Sequence, residues 1–116
     1  DTTYKIKEFG GSSAEECILT PDNEKIVFDA TVDEPDSWHF GERPSAIFVY
    51  DIKSQKTIRI SPVGYCCLSP HLDGNKIYFE CLTPNSLIRN ICSMDVDGKN
   101  FRIEFRDCSS FSISKN

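Results

Sequence analysis

Apolar residues in this chain recur in short bursts separated by polar turns. The tract NICSMDVDGKNFRIEF, residues 90 to 105, shows the pattern most clearly. A mostly apolar run from Ile91 to Met94 leads into Asp95-Val96-Asp97-Gly98. Alternation then resumes through Phe101, Ile103 and Phe105. Period-two alternation puts every second side chain on one face, which marks a strand with one face buried. Ile58 and Ile60 alternate in the same way. No segment shows a convincing helical period. The chain is therefore expected to be all-β.

The bursts repeat. CILTPDNEKIVF (17–28) aligns with CCLSPHLDGNKIYF (66–79): Cys, an apolar residue, Ser or Thr, Pro, a polar turn, then Lys-Ile-x-Phe. AIFVYDIKSQKTIRIS (46–61) aligns with the 90–105 tract: an apolar strand ending in Asp51 or Asp95, a polar turn, an alternating strand. The first copy carries an insertion between Phe28 and Ala46. Each copy reads as four short strands. They fall at about 17–20, 25–30, 46–51 and 57–61 in the first, and 66–69, 76–81, 91–95 and 101–105 in the second. A four-stranded unit of about 40 to 45 residues has the period of a propeller blade. The expectation is one segment over 1–116. Blade one spans about 16–61, blade two about 66–105, and single strands flank them at 4–9 and 108–116. Two blades make an incomplete propeller, since a single-chain ring takes about four to eight. Such a chain is a fragment of a longer protein, completes its ring with further copies, or packs its blades differently.

The second copy resembles the blade repeat of TolB-like β-propellers, which runs Phe-Ser-Pro-Asp-Gly-Lys-x-Ile-x-Phe and then Ile-Tyr-x-Met-Asp-x-Asp-Gly. The matching positions are Leu68, Ser69, Pro70, Asp73, Gly74, Lys76, Ile77 and Phe79, then Ile91, Met94, Asp95, Asp97 and Gly98. The first copy carries a weaker form at Leu19, Thr20, Pro21, Asp22, Lys25, Ile26, Phe28, Ile47, Tyr50 and Asp51, without the two glycines. His71-Leu72 is inserted after the proline of copy two. The resemblance covers roughly 16–105. It implies the blade fold and an extracytoplasmic setting, periplasmic or secreted. It does not imply one task, because such blades serve many.

Asp95-Val96-Asp97-Gly98 is read as a hairpin turn and not as a calcium loop. An EF-hand needs an oxygen ligand at its fifth position and Glu at its twelfth. Counted from Asp95, those positions hold Lys99 and Arg106. Gly98 supplies the positive φ that a tight turn requires.

Antiparallel connectivity sends the short turns to one end of each blade and the longer loops to the other. Binding residues concentrate in long loops on a rigid scaffold. The loop TVDEPDSWHFGERPS (31–45) holds the single Trp. The binding candidates at this end are Trp38, His39, Phe40, Arg43, Tyr65 and Arg89. Trp38 and Phe40 also suit a bland role, pinning the long loop back onto the blades.

Composition narrows the partners. The 116 residues carry 13 basic and 18 acidic side chains, a net charge of −5. This balance disfavours nucleic acid as a partner, since phosphate binding needs a basic face. No apolar run approaches the ~18 residues of a membrane span. The chain opens without Met, so residue 1 is read as a processed terminus or a boundary within a longer chain. Six cysteines suit either disulfides in an oxidising compartment or buried packing. Cys81 and Cys92, at the facing ends of one hairpin, form the disulfide candidate. A zinc site at Cys66, Cys67 and His71 is disfavoured, because adjacent strand residues point to opposite faces. There is no Gly-x-Ser-x-Gly elbow and no Gly-rich phosphate loop, so no enzyme and no cofactor are expected. The leading expectation is a non-catalytic binding module that contacts a protein or glycan through its long-loop face, with a homo-oligomer as one route to a closed ring. The alternatives are an accessory propeller of a prolyl-oligopeptidase-like hydrolase and a structural self-assembling protein.

Overall fold

The computed structural model describes residues 14–32, 44–83 and 86–108. Eight strands follow in chain order: β1 (Ala14–Leu19), β2 (Lys25–Thr31), β3 (Ser45–Asp51), β4 (Lys56–Arg59), β5 (Cys66–Asp73), β6 (Lys76–Leu82), β7 (Asn90–Asp95) and β8 (Arg102–Phe105). They form two separate four-stranded sheets, ordered β1-β2-β3-β4 and β5-β6-β7-β8. Every pairing is antiparallel and joins sequence neighbours. These are the two expected blades, and the sheets do not close into a ring. The flanking strands expected at 4–9 and 108–116 lie outside the described residues, apart from Cys108.

The sheets meet along an apolar seam. Val27, Ile47 and Val49 of the first sheet cluster with Cys67, Ile77, Phe79, Cys81, Cys92 and Met94 of the second. The periodicity explains the choice. Val27 faces Val49 across β2–β3, and Phe79 faces Cys92 and Ile77 faces Met94 across β6–β7. Each pair therefore points the same way. The opposite face of the first sheet buries Ile26, Phe28, Ala30, Ala46, Phe48 and Tyr50, with the Phe28 and Phe48 rings stacked 5.5 Å apart. So β2 and β3 are apolar on both faces, as central strands must be. The outer strands β4 and β8 alternate exposed and half-buried or are mostly exposed.

A buried carboxylate crosses the seam. Asp29 on β2 is only 3% exposed, and its Oδ2 accepts a hydrogen bond from the Ser69 N–H at 2.9 Å. Ser69 sits where the β5–β6 register shifts, between Leu68 and His71, with φ of 57°. This irregularity corrects the expectation that the strand ends at residue 69. β5 runs on to Asp73, and His71 faces Tyr78. The bulge falls at Ser69-Pro70, and His71 and Leu72 pair beyond it in the lengthened strand. The bulge frees the Ser69 N–H from the ladder, and Asp29 receives it.

The turns hold as expected. Gly98 has φ of 86°, its N–H bonds the Asp95 carbonyl at 2.8 Å, and the Asp95 N–H bonds the Lys99 carbonyl at 2.8 Å. The Asp97 and Asp95 carboxylates accept from the Lys99 N–H and the Asn100 amide. In the β1–β2 turn Asn23 takes φ of 62°, the value Gly74 takes in the β5–β6 turn. Asn tolerates this region better than most residues, so copy one turns without glycine.

Replacing Asp29 by Ala leaves the Ser69 N–H without its acceptor beside the seam. The expected loss is about 1 to 3 kcal/mol of unfolding free energy, read as a lower urea midpoint at unchanged m-value. Loss of less than about 0.5 kcal/mol would remove Asp29 from this role.

Candidate functional site

Alternating strand direction gives each blade two distinct ends. The turns β1–β2, β3–β4, β5–β6 and β7–β8 lie at one end. The connections β2–β3, β4–β5 and β6–β7 lie at the other.

The long-loop end carries exposed apolar side chains. Val63, in the β4–β5 connection, is 73% exposed. Leu87 and Ile88, in the β6–β7 connection, are 79% and 55% exposed. Phe105, the last residue of β8, is 63% exposed. The connections that carry them are fastened to the sheets. The Arg59 guanidinium donates to the Ser61 and Pro62 carbonyls at 3.2 and 3.1 Å. The Ser61 hydroxyl accepts from the Ile47 N–H at 2.9 Å. Burial lowers the Arg59 pKa from its ordinary value, while its two carbonyl partners replace lost water. At the far loop, Arg89 forms an ion pair with the largely buried Glu80, and the Arg89 carbonyl accepts from the Cys108 N–H at 2.6 Å. The apolar tips therefore stand on anchored loops.

Of the binding candidates, Tyr65 is half-buried and packs against the seam core. Arg89 spends its guanidinium on Glu80. Both brace the long-loop end from beneath. Trp38, His39, Phe40 and Arg43 lie outside the described residues. Val63, Leu87, Ile88 and Phe105 are not among the candidates chosen from sequence. Leu87 and Ile88 carry a signal of their own, two adjacent large apolar residues inside a polar loop.

The short-turn end differs. A cleft of about 330 Å³ opens there against the seam. Val49, Ile60 and Val96 line it together with Lys25, Asp51 and Asp97. Its carboxylates are engaged locally. Asp51 accepts from the Ser54 N–H at 2.9 Å, and Lys25 Nζ lies 3.9 Å from its other oxygen. The Ser54 N–H is the main cause holding the Asp51 carboxyl below its ordinary value. Asp22, on the neighbouring turn, is lowered in the same direction, first by the Thr20 hydroxyl and then by the Glu24 N–H.

The cysteines do not pair as expected. None of the six is joined in a disulfide in this structure. Cys81 faces Asn90 and Cys92 faces Phe79, so Cys81 and Cys92 are diagonal neighbours and do not oppose one another. The residue opposite Cys81 is Cys67 on β5, with the sulfurs 3.5 Å apart. Cys67, Cys81 and Cys92 are all buried in the seam. The Cys81 pKa is raised well above the ordinary thiol value, chiefly by its contact with Cys67. Cys92 is raised further, chiefly by its contact with Cys81 and then by burial. Cys66 points elsewhere, and its sulfur accepts from the Ser45 N–H at 3.5 Å. Among the described residues, no three His, Cys, Asp or Glu side chains are grouped as a metal site.

No family model matches this chain. No curated protein matches it. Its fold is similar to the solved structure of a candidate TolB from Agrobacterium tumefaciens, with a TM-score of 0.66 and 19% identity. The likeness covers 87% of this chain and 36% of that one, so the chain spans little more than a third of that protein's length. The fold is that of TolB-like propeller blades. At this identity the likeness establishes architecture alone. No helix among the described residues is long and apolar enough to cross a membrane.

Two outcomes follow. In the reduced native protein at pH 8, iodoacetamide is expected to label Cys17, Cys66 and Cys108 and to leave Cys67, Cys81 and Cys92 unlabelled until denaturation. Fast native labelling of any of the three would contradict their burial. In a carboxyl NMR titration, Asp22 and Asp51 are expected to titrate below 3.8. A depressed carboxyl stabilises the fold above its unfolded pKa, and the contribution is lost as pH falls through the folded value. Both turns should loosen only in that acidic window.

Proposed function

We propose that this chain is a non-catalytic binding module of the TolB-like propeller type, which contacts a protein partner through the long-loop end of its blades. The observation that carries this reading is the set of exposed apolar side chains at that end, Val63, Leu87, Ile88 and Phe105, on connections fastened to the sheets. Large aliphatic groups held in water are costly. When they stand on a rigid base they suit an interface, because little side-chain and loop entropy is lost on binding. Aliphatic groups favour a protein over a glycan, whose hydroxyls need hydrogen-bond partners. The net charge of −5 directs the choice away from nucleic acid. An extracytoplasmic setting belongs to the same reading, supported by the blade resemblance and by six cysteines in 116 residues.

A second reading, self-assembly that completes a ring, is favoured by the outer strands. Among the described residues, β4 and β8 are each paired on one side, and Ile58, Ile103 and Phe105 on them are exposed. Such edges accept further strands.

Light scattering after size exclusion, under oxidising and reducing conditions, separates the two. A monomer is expected for the binding module, and a discrete oligomer supports ring completion. A photo-crosslinker placed at Leu87 should then capture a partner protein, and one placed at Asp22, at the opposite end, should not. Changing Leu87 and Ile88 to Ser should weaken capture at least tenfold while shifting stability by less than about 0.5 kcal/mol. Equal capture from both ends would overturn the assignment of the binding face.

A further inference from the structure

We propose that Cys67 and Cys81 form an internal disulfide that staples β5 to β6 when the chain folds in the presence of a low-molecular-weight disulfide, with Cys92 kept beside it as a free thiol. Register, distance and burial support the pair. Cys67 and Cys81 are direct cross-strand partners. Opposed Cβ atoms in an antiparallel pair lie about 4.5 to 5.5 Å apart, close to the ~3.5 to 4.5 Å that a disulfide spans. Their sulfurs are already 3.5 Å apart, so a small side-chain rotation brings them to bonding distance. Cys92 lies two positions off register from Cys81, because Cys81 faces Asn90. A diagonal pair starts from a wider Cβ separation, somewhat under ~7 to 8 Å, so Cys92, although it touches Cys81, would have to draw β6 and β7 together to bond it. Cys81 can bond one sulfur only, and the register selects Cys67. Cys66 faces away from this cluster and is occupied at the Ser45 N–H.

The oxidation is a double thiol–disulfide exchange. The thiolate of one cysteine attacks the small disulfide, forming a mixed disulfide and releasing one small thiol. The thiolate of the second cysteine then displaces the other. Two protein thiols lose two electrons and two protons, and one small disulfide leaves as two small thiols. Neither sulfur is reachable in the folded seam, where Cys67 and Cys81 are 0% and 1% exposed. Exchange therefore proceeds while β5 is still undocked from β6. Once the seam closes, the same burial shields the bond from reductants.

The test is refolding of the full chain from denaturant in a glutathione and glutathione-disulfide buffer. Remaining thiols are alkylated under denaturing conditions, and unreduced digests are read by mass spectrometry. Four alkylated cysteines and a cross-linked peptide joining the 66–67 region to Cys81 are the expected result. A Cys66→Ala variant should keep the link, which assigns it to Cys67, and Cys92→Ala should also keep it. Cys67→Ala should lose it. Reduction of the oxidised protein should lower the thermal midpoint by about 10 °C. Six alkylated cysteines after refolding would overturn the proposal, and so would a map joining Cys81 to Cys92. The wild-type map needs no variant to fold, so a failed variant does not protect the proposal.

Discussion

The structure depends on the apolar seam between the two sheets. A four-stranded antiparallel sheet has two faces, and only one can be left to water without cost. The first sheet is apolar on both faces of β2 and β3, so it cannot stand alone in water. Val27, Ile47 and Val49 are covered by Ile77, Phe79, Cys92 and Met94 of the next sheet. The inner strand β5 lies against β1, β2 and β3 and joins the sheets most closely. Apolar burial is non-directional. Something else must fix how one blade sits on the other. Asp29 does this, since a buried carboxylate demands a donor in one place and finds it at the Ser69 bulge.

The two ends of the blades inherit different chemistry from this arrangement. At the short-turn end, side chains of Thr20, Asp22, Asp51, Asp95 and Asp97 are consumed by turn hydrogen bonds. Those carboxylates serve architecture first, although Asp51 and Asp97 border the cleft. At the long-loop end the polar groups lie beneath, in Arg59, Glu80 and Arg89, and apolar tips stand outward. This inverts the usual order, which keeps polar groups outside and apolar groups within. Among the described residues, the outer strand of the second sheet is paired on one side, and Ile103 and Phe105 on it are exposed. A blade that ends this way has room for a further strand or a further molecule.

The cysteines show how packing and chemistry interlock. Three thiols fill the seam as small apolar groups, which is a common use of free cysteine. Their mutual contact and burial raise the Cys81 and Cys92 pKa values, so the folded protein keeps them unreactive. Redox chemistry at this place therefore belongs to the folding chain more than to the folded one.

Much of this was legible in the sequence, for a physical reason. Strand positions, sheet order and turn sites follow from local patterns: period-two alternation, Lys-Ile-x-Phe after a polar turn, Gly98 where φ must be positive. Each is a short-range constraint that the residues carry themselves. Three features were not legible. The strand that holds the inserted His71-Leu72 reads as ending at residue 69, and only the register shows a bulge at Ser69-Pro70 with His71 and Leu72 paired beyond it. The pairing of Cys81 depends on register: Cys67 opposes it on β5, while Cys92 on β7 lies two positions off. The exposure of Leu87, Ile88 and Phe105 cannot be read from residue type, because the same residues elsewhere in the chain are core. The sequence by itself determined an all-β chain of two four-stranded blades. The tertiary structure alone decided how those blades lean together and which apolar groups are left uncovered, because register, burial and the seam are set by contacts between residues far apart in the chain.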